Sequence, residues 1–223
     1  MLYLVPTPVG NLEDITLRAI QVLKDVDLIL AEDTRTSKPL LQRFEIDTPL
    51  RSYHSHNEHH VVEALCASLE AGQSMALITD AGSPGISDPG FLLVRACVEK
   101  KVQVVPLPGA TAFIPAVTAS GLPCDRFHFE GFLPHKKGRQ TRWKFIDSYP
   151  YTVILYESPF RLLKCLKEAN ELLESPRLVC VAREISKVFE EITTGTVEEL
   201  IAHYQDRKIK GEIVVILGPP QSE

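Results

Sequence analysis

The sequence has 223 residues, of which 44% are hydrophobic and 24% are charged. This mixture is typical of a globular protein and argues against a disordered chain. The longest apolar runs are only as long as strands, far short of the roughly 18 residues that a membrane helix needs. The formal net charge of −5 excludes a uniformly basic surface, although a local basic patch would be enough to bind nucleic acid.

Five cysteines are scattered along the chain without a CxxC pair. This spacing predicts neither a disulfide framework nor a thiolate zinc site. The first residues also lack the basic segment of a signal peptide. We therefore expect a protein of the reducing cytoplasm, with no metal and no membrane segment.

In the first half of the chain, short β-rich runs alternate with helical patterns. Strands are predicted at residues 2–5, 27–31, 75–79 and 102–106, with another near Leu50, and helices at 17–24, 61–71 and 91–99. These strands are apolar on both faces. Such strands are typical of a mainly parallel sheet with helices on both sides.

The second half has a different pattern of elements. Strands are predicted at residues 127–130, 153–156, 178–182, 188–194 and 213–217, and helices at 160–173 and 197–204. No helical pattern separates the runs that begin at 178 and 188, which indicates an antiparallel hairpin and a mixed sheet. We expect an α/β protein made of two α/β domains, residues 1–112 and 113–223.

Three predicted strands of the first half run into loops of glycine, proline and small residues, at residues 6–12, 79–90 and 106–112. Open α/β sheets bind ligands at the carboxyl ends of their strands. Loops of small residues also let a ligand approach main-chain groups closely. Neither a GxxxxGK[ST] phosphate loop nor a GxGxxG dinucleotide motif is present. The glycines and prolines could alternatively serve only to form turns.

The sequence resembles the tetrapyrrole-methylase-type S-adenosylmethionine methyltransferases. Within that family it is most similar to the bacterial branch that methylates the 2′-oxygen of a cytidine ribose in small-subunit rRNA. The matching segments span nearly the whole chain, at residues 3–15, 31–35, 80–90, 106–109, 130–134, 156–161, 182–187 and 210–212.

The resemblance implies two α/β domains with S-adenosylmethionine in the cleft between them, usually in a homodimer. It also implies that the methyl donor is held mainly by main-chain groups. The corresponding residues are Pro8, Asp80, Gly82, Ile86, Thr111, Ala112, Phe132, Ala182 and Gly211. A Gly82→Val change is predicted to abolish donor binding, by filling the space that a missing side chain leaves.

A ribose hydroxyl is a poor nucleophile, so a neighbouring base would help the transfer. Candidate catalytic residues near the first-half loops are Glu32, Asp33 and Arg35, with Asp14 as a further candidate. Asp33 or Thr34 could instead cap the helix that begins there, and Arg35 could clamp a phosphate.

In the second half, Glu157 and Arg161 follow a predicted strand. An internal ion pair between them explains their presence as well as a role in the site does.

A basic segment follows the strand near Phe132. Residues 135–144 contain five lysines and arginines and no acid. Basic charge beside an aromatic residue suits an RNA backbone and an unstacked base. We therefore predict RNA contacts at Lys136, Lys137, Arg139 and Arg142. The alternative is a solvated helix start with Trp143 packed inward.

Four histidines lie within residues 54–60. Their spacing is not that of HExxH, and no cysteine is near, so we predict a polar loop that touches substrate rather than a metal site.

Longer members of the rRNA branch carry a C-terminal helical segment that this sequence lacks, which leaves three functions open. The favoured one is an enzyme that methylates small-subunit rRNA, with the rRNA or the small ribosomal subunit as partner. The second is methylation of a tetrapyrrole or corrinoid small molecule. The third is a non-catalytic RNA-binding factor with the same fold.

Overall fold

The structure is a computed structural model that describes residues 1–221. It contains two compact units. The first unit is Met1–Thr111, and the second begins at Ala112. Among the described residues, no helix is both long enough and apolar enough to cross a membrane.

The first unit alternates strands and helices. Its strands are β1 (Leu2–Leu4), β2 (Leu28–Ala31), β3 (Leu50–Ser52), β4 (Met75–Ile78) and β5 (Val104–Pro106). Its helices are α1 (Leu17–Asp25), α2 (Thr34–Arg43), α3 (Glu58–Glu70) and α4 (Phe91–Glu99), with a short 3₁₀ helix at Leu12–Asp14.

The five strands form one parallel sheet in the order β3-β2-β4-β1-β5. Successive residues of a strand point to opposite faces, and both faces are covered. Ile29 and Ile78 lie in the cluster that includes α1 and α2, whereas Leu30 and Leu77 lie in the cluster that includes α3 and α4. The predicted parallel sheet with two covered faces is confirmed. Because the strands are parallel, their carboxyl ends and the loops that follow share one edge.

The second unit has five strands and four helices in its described part. The strands are β6 (Phe127–Phe132), β7 (Thr152–Glu157), β8 (Val179–Arg183), β9 (Glu191–Gly195) and β10 (Ile213–Leu217). The helices are α5 (Phe113–Ala119), α6 (Arg139–Ser148), α7 (Leu162–Leu172) and α8 (Val197–Tyr204).

These strands form a mixed sheet in the order β6-β7-β10-β8-β9, in which only β6 and β7 are parallel. The hairpin of β8 and β9 confirms the prediction of an antiparallel element. Helices α6, α7 and α8 contribute to the core on one face of the sheet. Helix α5 contributes to the core on the other face.

Helix α5 was not predicted, α2 and α6 were considered only as helix starts, and one strand begins later than expected. The only buried residues of α6 are Arg139, Trp143 and Ile146, so its apolar pattern is too sparse to signal a helix. The strand expected from residue 188 begins at Glu191. Glu184 and Ser186 have left-handed φ angles of 54° and 63°, which interrupt extended backbone after β8.

All five cysteines are free, as expected from their spacing. Four are buried, and Cys124 is exposed.

Candidate functional site

Hydrogen bonds join the three predicted loops of the first unit at one edge of its sheet. Thr7 and Gly82 exchange two main-chain hydrogen bonds of 2.9 and 3.0 Å. The buried hydroxyl of Thr7 donates to the carbonyl of Thr79 at 2.9 Å. The hydroxyl of Ser83 donates to the carbonyl of Ala110 at 3.2 Å. The loops after β1, β4 and β5 therefore form one continuous surface, which includes the predicted donor contacts Pro8, Asp80, Gly82, Ile86 and Thr111.

Gly82 is required for its backbone conformation rather than for space. Its φ of +88° lies in the left-handed region, and an added Cβ would stay 3.8 Å or more from its neighbours. L side chains are strained in that region. The sequence-based reason for the effect of Gly82→Val is therefore corrected, because strain and not filled space makes this position a glycine.

This loop surface also contains a buried hydroxyl that lacks a hydrogen-bond partner among the described residues. Thr111 Oγ1 is inaccessible to water and has no hydrogen-bond partner within residues 1–221. An unpartnered buried polar atom is unfavourable, and a ligand that hydrogen-bonds to it removes the penalty. Ile86 nearby in this loop surface is 41% exposed and offers an apolar contact. These features fit a ligand that is held by main-chain groups, small side chains and one apolar residue.

Three carboxylates meet where β2 and β4 end. Thr79 Oγ1 donates to Glu32 Oε2 at 2.7 Å, and the amide of Asp33 donates to Asp80 Oδ1 at 3.2 Å. Partial desolvation raises the pKa of Asp80, and the negative charges of Glu32 and Asp33 raise it further, whereas the hydrogen bond from the Asp33 amide opposes these effects. Thr79 was not singled out in the sequence, although its place at the end of a strand was a usable signal.

Asp33 and Arg35 form a local structure at the start of α2. Asp33 is the N-cap, and its Oδ1 accepts from the Arg35 amide at 2.8 Å. Its Oδ2 lies 2.6 Å from the Arg35 guanidinium. Hydrogen bonds from the side chain and the amide of Arg35 lower the pKa of Asp33 to about 2. This geometry supports the capping interpretation of Asp33. Of the two candidate catalytic acids Glu32 and Asp33, only Glu32 has no arginine partner among the described residues.

In the second unit, the predicted donor residues lie at or near one edge of the sheet, apart from Ala112, which precedes α5. Phe132 ends β6 and is 52% exposed, with its ring 5.6 Å from that of Tyr156. Ala182 is buried near the end of β8, and Gly211 stands two residues before β10. This edge therefore presents one exposed aromatic ring beside small residues.

Gly211 is packed directly against a carboxylate. A Cβ at this position would overlap the carboxyl group of Glu184, and the φ of +89° also disfavours any side chain. Glu184 Oε1 accepts from the Glu212 amide at 3.0 Å and from Lys187 Nζ at 3.0 Å. Burial alone would raise the pKa of Glu184, but the hydrogen bonds from Lys187 and Glu212 hold it below its usual value.

The predicted basic patch is only partly available to a ligand. Lys136 and Lys137 are exposed in the loop between β6 and α6. Arg142, in contrast, makes a bidentate ion pair with Glu130 and is 37% exposed. Burial would raise the pKa of Glu130, but hydrogen bonds from Arg142 and His128 outweigh it and keep the pKa low.

Arg139 is buried, which corrects its assignment to the RNA patch. Its Nε donates to Glu168 Oε2 at 2.7 Å, and its NH1 donates to the carbonyl of Pro134 at 3.1 Å. Trp143 Nε1 also donates to Glu168, at 3.1 Å, and its side chain is buried. The start of α6 is therefore anchored inward, and the basic segment is less accessible than its sequence indicates.

Two further groups of polar residues make contacts within their own segments. Arg161 Nε lies 2.8 Å from Glu157 Oε1, in agreement with an internal ion pair. His54 and His56 pack edge to face at 5.8 Å. Within residues 1–221, no group of histidine, cysteine and acidic side chains could hold a metal ion.

Residues 1–201 match the sequence profile of the Tetrapyrrole (Corrin/Porphyrin) Methylases. The chain is 49% identical to the Ribosomal RNA small subunit methyltransferase I of Synechocystis sp., over 98% of this chain and 78% of that protein. It is 51% identical to the protein of the same name from Escherichia coli O157:H7, over 97% and 77%.

Among solved structures, the methyltransferase CobJ matches with a TM-score of 0.70 at 18% identity, over 98% of this chain and 93% of that chain. A uroporphyrin-III C-methyltransferase from Thermus thermophilus, complexed with S-adenosyl homocysteine, matches with a TM-score of 0.67 at 22% identity, over 97% and 96%. These likenesses confirm the predicted fold of two α/β domains. The chain belongs to the tetrapyrrole methylase family.

Proposed function

We propose that this protein is an S-adenosylmethionine-dependent methyltransferase that methylates the ribose 2′-oxygen of a cytidine in small-subunit rRNA. One observation carries the proposal: relatives named as small-subunit rRNA methyltransferases are about half identical to this chain over nearly all of it. An rRNA substrate supports a cytoplasmic location, and the family resemblance supports a homodimer, which sedimentation would test.

We assign donor binding to small-residue and main-chain positions in each unit. In the first unit these are Pro8, Asp80, Gly82, Ile86 and Thr111, and in the second they are Ala112, Phe132, Ala182 and Gly211. The unpartnered hydroxyl of Thr111 and the left-handed backbone at Gly82 support the assignment. When bound, S-adenosylmethionine supplies a methyl group activated by a positively charged sulfur.

We assign the proton-accepting role to Glu32. Thr79 holds its Oε2, while Oε1 has no hydrogen-bond partner within the described residues 1–221. A carboxylate fixed by one oxygen can accept the hydroxyl proton of the ribose with the other, which assists attack by the ribose oxygen. Holding the acceptor in position for that attack contributes more, because correct orientation can be worth about 7–11 kcal/mol.

We assign phosphate contacts to Lys136 and Lys137. Their exposure supports this role, and neither ammonium has an acidic partner in the described part of the chain. Arg142 contributes less positive potential because Glu130 neutralises it. Arg139 contributes to the stability of α6 instead.

The test uses small ribosomal subunits from a strain that lacks this gene. Purified protein and donor labelled in its methyl group should transfer label to the rRNA, and nuclease digestion should place the label on a cytidine 2′-oxygen. The same protein should transfer no label to uroporphyrinogen. Label in the tetrapyrrole and none in rRNA would support the small-molecule alternative. Binding of both rRNA and donor without transfer would support the non-catalytic one.

A further inference from the structure

A shallow pocket of about 450 Å³ lies on the second unit, outside the residues assigned to the donor except for Gly211 at its border. We call it the Phe160 pocket. Its lining comes from the loop between β7 and α7, from the start of α7 and from the segment before β10: Pro159, Phe160, Leu163, Arg207, Lys208, Ile209, Lys210 and Gly211.

The Phe160 pocket lies at the same edge of the sheet as Lys136 and Lys137. Glu157, the last residue of β7, pairs with Ile213, the first residue of β10, so the loops at these two ends are adjacent. Strands β6 and β7 are parallel neighbours, and the loop after β6, which carries both lysines, therefore leaves the same edge.

Phe160 presents an unusually open aromatic face. Its side chain is 94% exposed, whereas Leu163 and Ile209 of the same pocket pack against the core of the unit. The pocket thus has an anchored apolar floor beside a ring that remains in water. Leaving such a ring in water is unfavourable, and an unpaired nucleobase stacks well on it.

The rim of the Phe160 pocket is positively charged. Lys208 and Lys210 are exposed, and neither ammonium has an acidic partner within residues 1–221. Arg207 donates to Glu191 at 2.7 Å and is still 53% exposed. Asp206 is the one acid in the segment 205–211. Basic groups around an aromatic face are the arrangement that binds single-stranded nucleic acid.

We infer that the Phe160 pocket is an RNA-docking site, in which an unpaired base stacks on Phe160 and adjacent phosphates contact Lys208 and Lys210. The inference rests on the proposed function, and it adds a contact surface for the RNA substrate beyond the loop after β6. A second copy of the chain fits less well, because a two-fold contact would bring this basic rim against itself.

The test measures binding of a short fluorescein-labelled single-stranded RNA to the full chain by anisotropy, without methyl donor. Phe160→Ala should weaken binding about five- to hundred-fold, which corresponds to the loss of one stacked base. Phe160→Tyr should retain most of the affinity, and Phe160→Leu should not. Lys208→Ala with Lys210→Ala should reduce the salt slope of binding by about 1.4, as expected for two single-strand phosphates.

The matched control is Arg18→Ala with Lys24→Ala, which removes two exposed cations from α1 and should leave affinity and slope unchanged. Unchanged RNA affinity in Phe160→Ala, or full retention in Phe160→Leu, would overturn the inference. A change of oligomeric state with unchanged RNA affinity would assign the pocket to a second copy instead. Label transfer to rRNA by the wild-type protein tests the proposed function separately, because this binding assay contains no donor.

Discussion

The hydroxyl of Thr79 donates a 2.7 Å hydrogen bond to Glu32, and it thereby connects the carboxyl ends of two neighbouring parallel strands. Thr79 is buried, with 2% of its surface exposed, so the bond is shielded from water. It fixes the Glu32 carboxylate in place beside the loop surface that we assign to the methyl donor.

Glu32→Gln should lower kcat for methyl transfer by about 10²- to 10⁴-fold, because it removes the proton acceptor. Donor affinity should change little, as calorimetry would show. Thr79→Val should lower kcat by a smaller factor, because the carboxylate remains but loses the donor that orients it. Glu63→Gln, an exposed position on α3, is the control. Equal activity of Glu32→Gln and Glu63→Gln would contradict the assignment.

Arg35→Ala should raise the pKa of Asp33 from about 2 towards its usual value of 3.8, because the hydrogen bonds of the guanidinium are lost. Carbon-13 NMR titration of the aspartate carboxyls measures this directly. Asp27 is the internal control, since hydrogen bonds from Ser74 keep its pKa low. A pKa of Asp33 that stays near 2 would show that Arg35 is not the cause.

The sign of the stability effect follows from the lowered pKa. In the wild-type protein, ionised Asp33 adds to the free energy of unfolding at pH values above the pKa that Asp33 has in the unfolded chain. This stabilisation is lost as the pH falls towards about 2. Arg35→Ala should therefore show a smaller loss of stability over that acid range.

Gly82→Ala should reduce the free energy of unfolding by about 1–2 kcal/mol, because an alanine is strained at a φ of +88°. It should also weaken donor binding by distorting the loop that exchanges hydrogen bonds with Thr7. Gly72→Ala is a matched control, since its φ is +98° with open space around it. Chemical denaturation should show similar losses for both variants, and only Gly82→Ala should lose donor affinity. Equal donor affinity in both variants would show that Gly82 does not belong to the donor site.

Gly211→Ala should destabilise the protein by about 1–3 kcal/mol, because the new methyl group overlaps the carboxylate of Glu184. Glu184→Ala removes that carboxylate, so the double variant should lose less stability than the sum of the two single losses. Strict additivity in denaturant titrations would mean that the two residues do not interact.

Arg139→Ala should cost about 3–5 kcal/mol of stability, because it removes a buried guanidinium that lies 2.7 Å from the half-buried carboxylate of Glu168 and 3.7 Å from the buried carboxylate of Glu157. Lys136→Ala with Lys137→Ala should leave stability unchanged and weaken RNA binding, with a smaller salt slope. Thermal unfolding and anisotropy measured on the same preparations separate the two effects. A stable Arg139→Ala variant with poor RNA binding would show that Arg139 contributes to RNA binding rather than to stability.

The sequence alone was sufficient for the order of strands and helices in the first unit. Runs such as 75–78 are apolar at every position, and this pattern is typical of strands buried on both faces. It was also sufficient to place the three loops of small residues at the carboxyl ends of strands, where hydrogen bonds join them. Helix α6, with Trp143 packed inward, was only the alternative prediction, because its buried residues include an arginine and the segment resembles a solvated basic one.

Only the tertiary structure decided which charged residues are free to act. Arg139 and Lys137 are two positions apart and both basic. Arg139 is buried and forms an ion pair with Glu168 of α7, whereas Lys137 is exposed to water. Asp33 and Glu32 are adjacent acids, yet one caps a helix and the other receives the hydroxyl of Thr79. The pattern of apolar residues reflects burial in the protein's own core, and it can therefore be recognised in a single sequence. The ion-pair partner of a charged side chain comes from a distant segment of the chain. The distance between the two groups, and their burial, are therefore defined only by the folded structure.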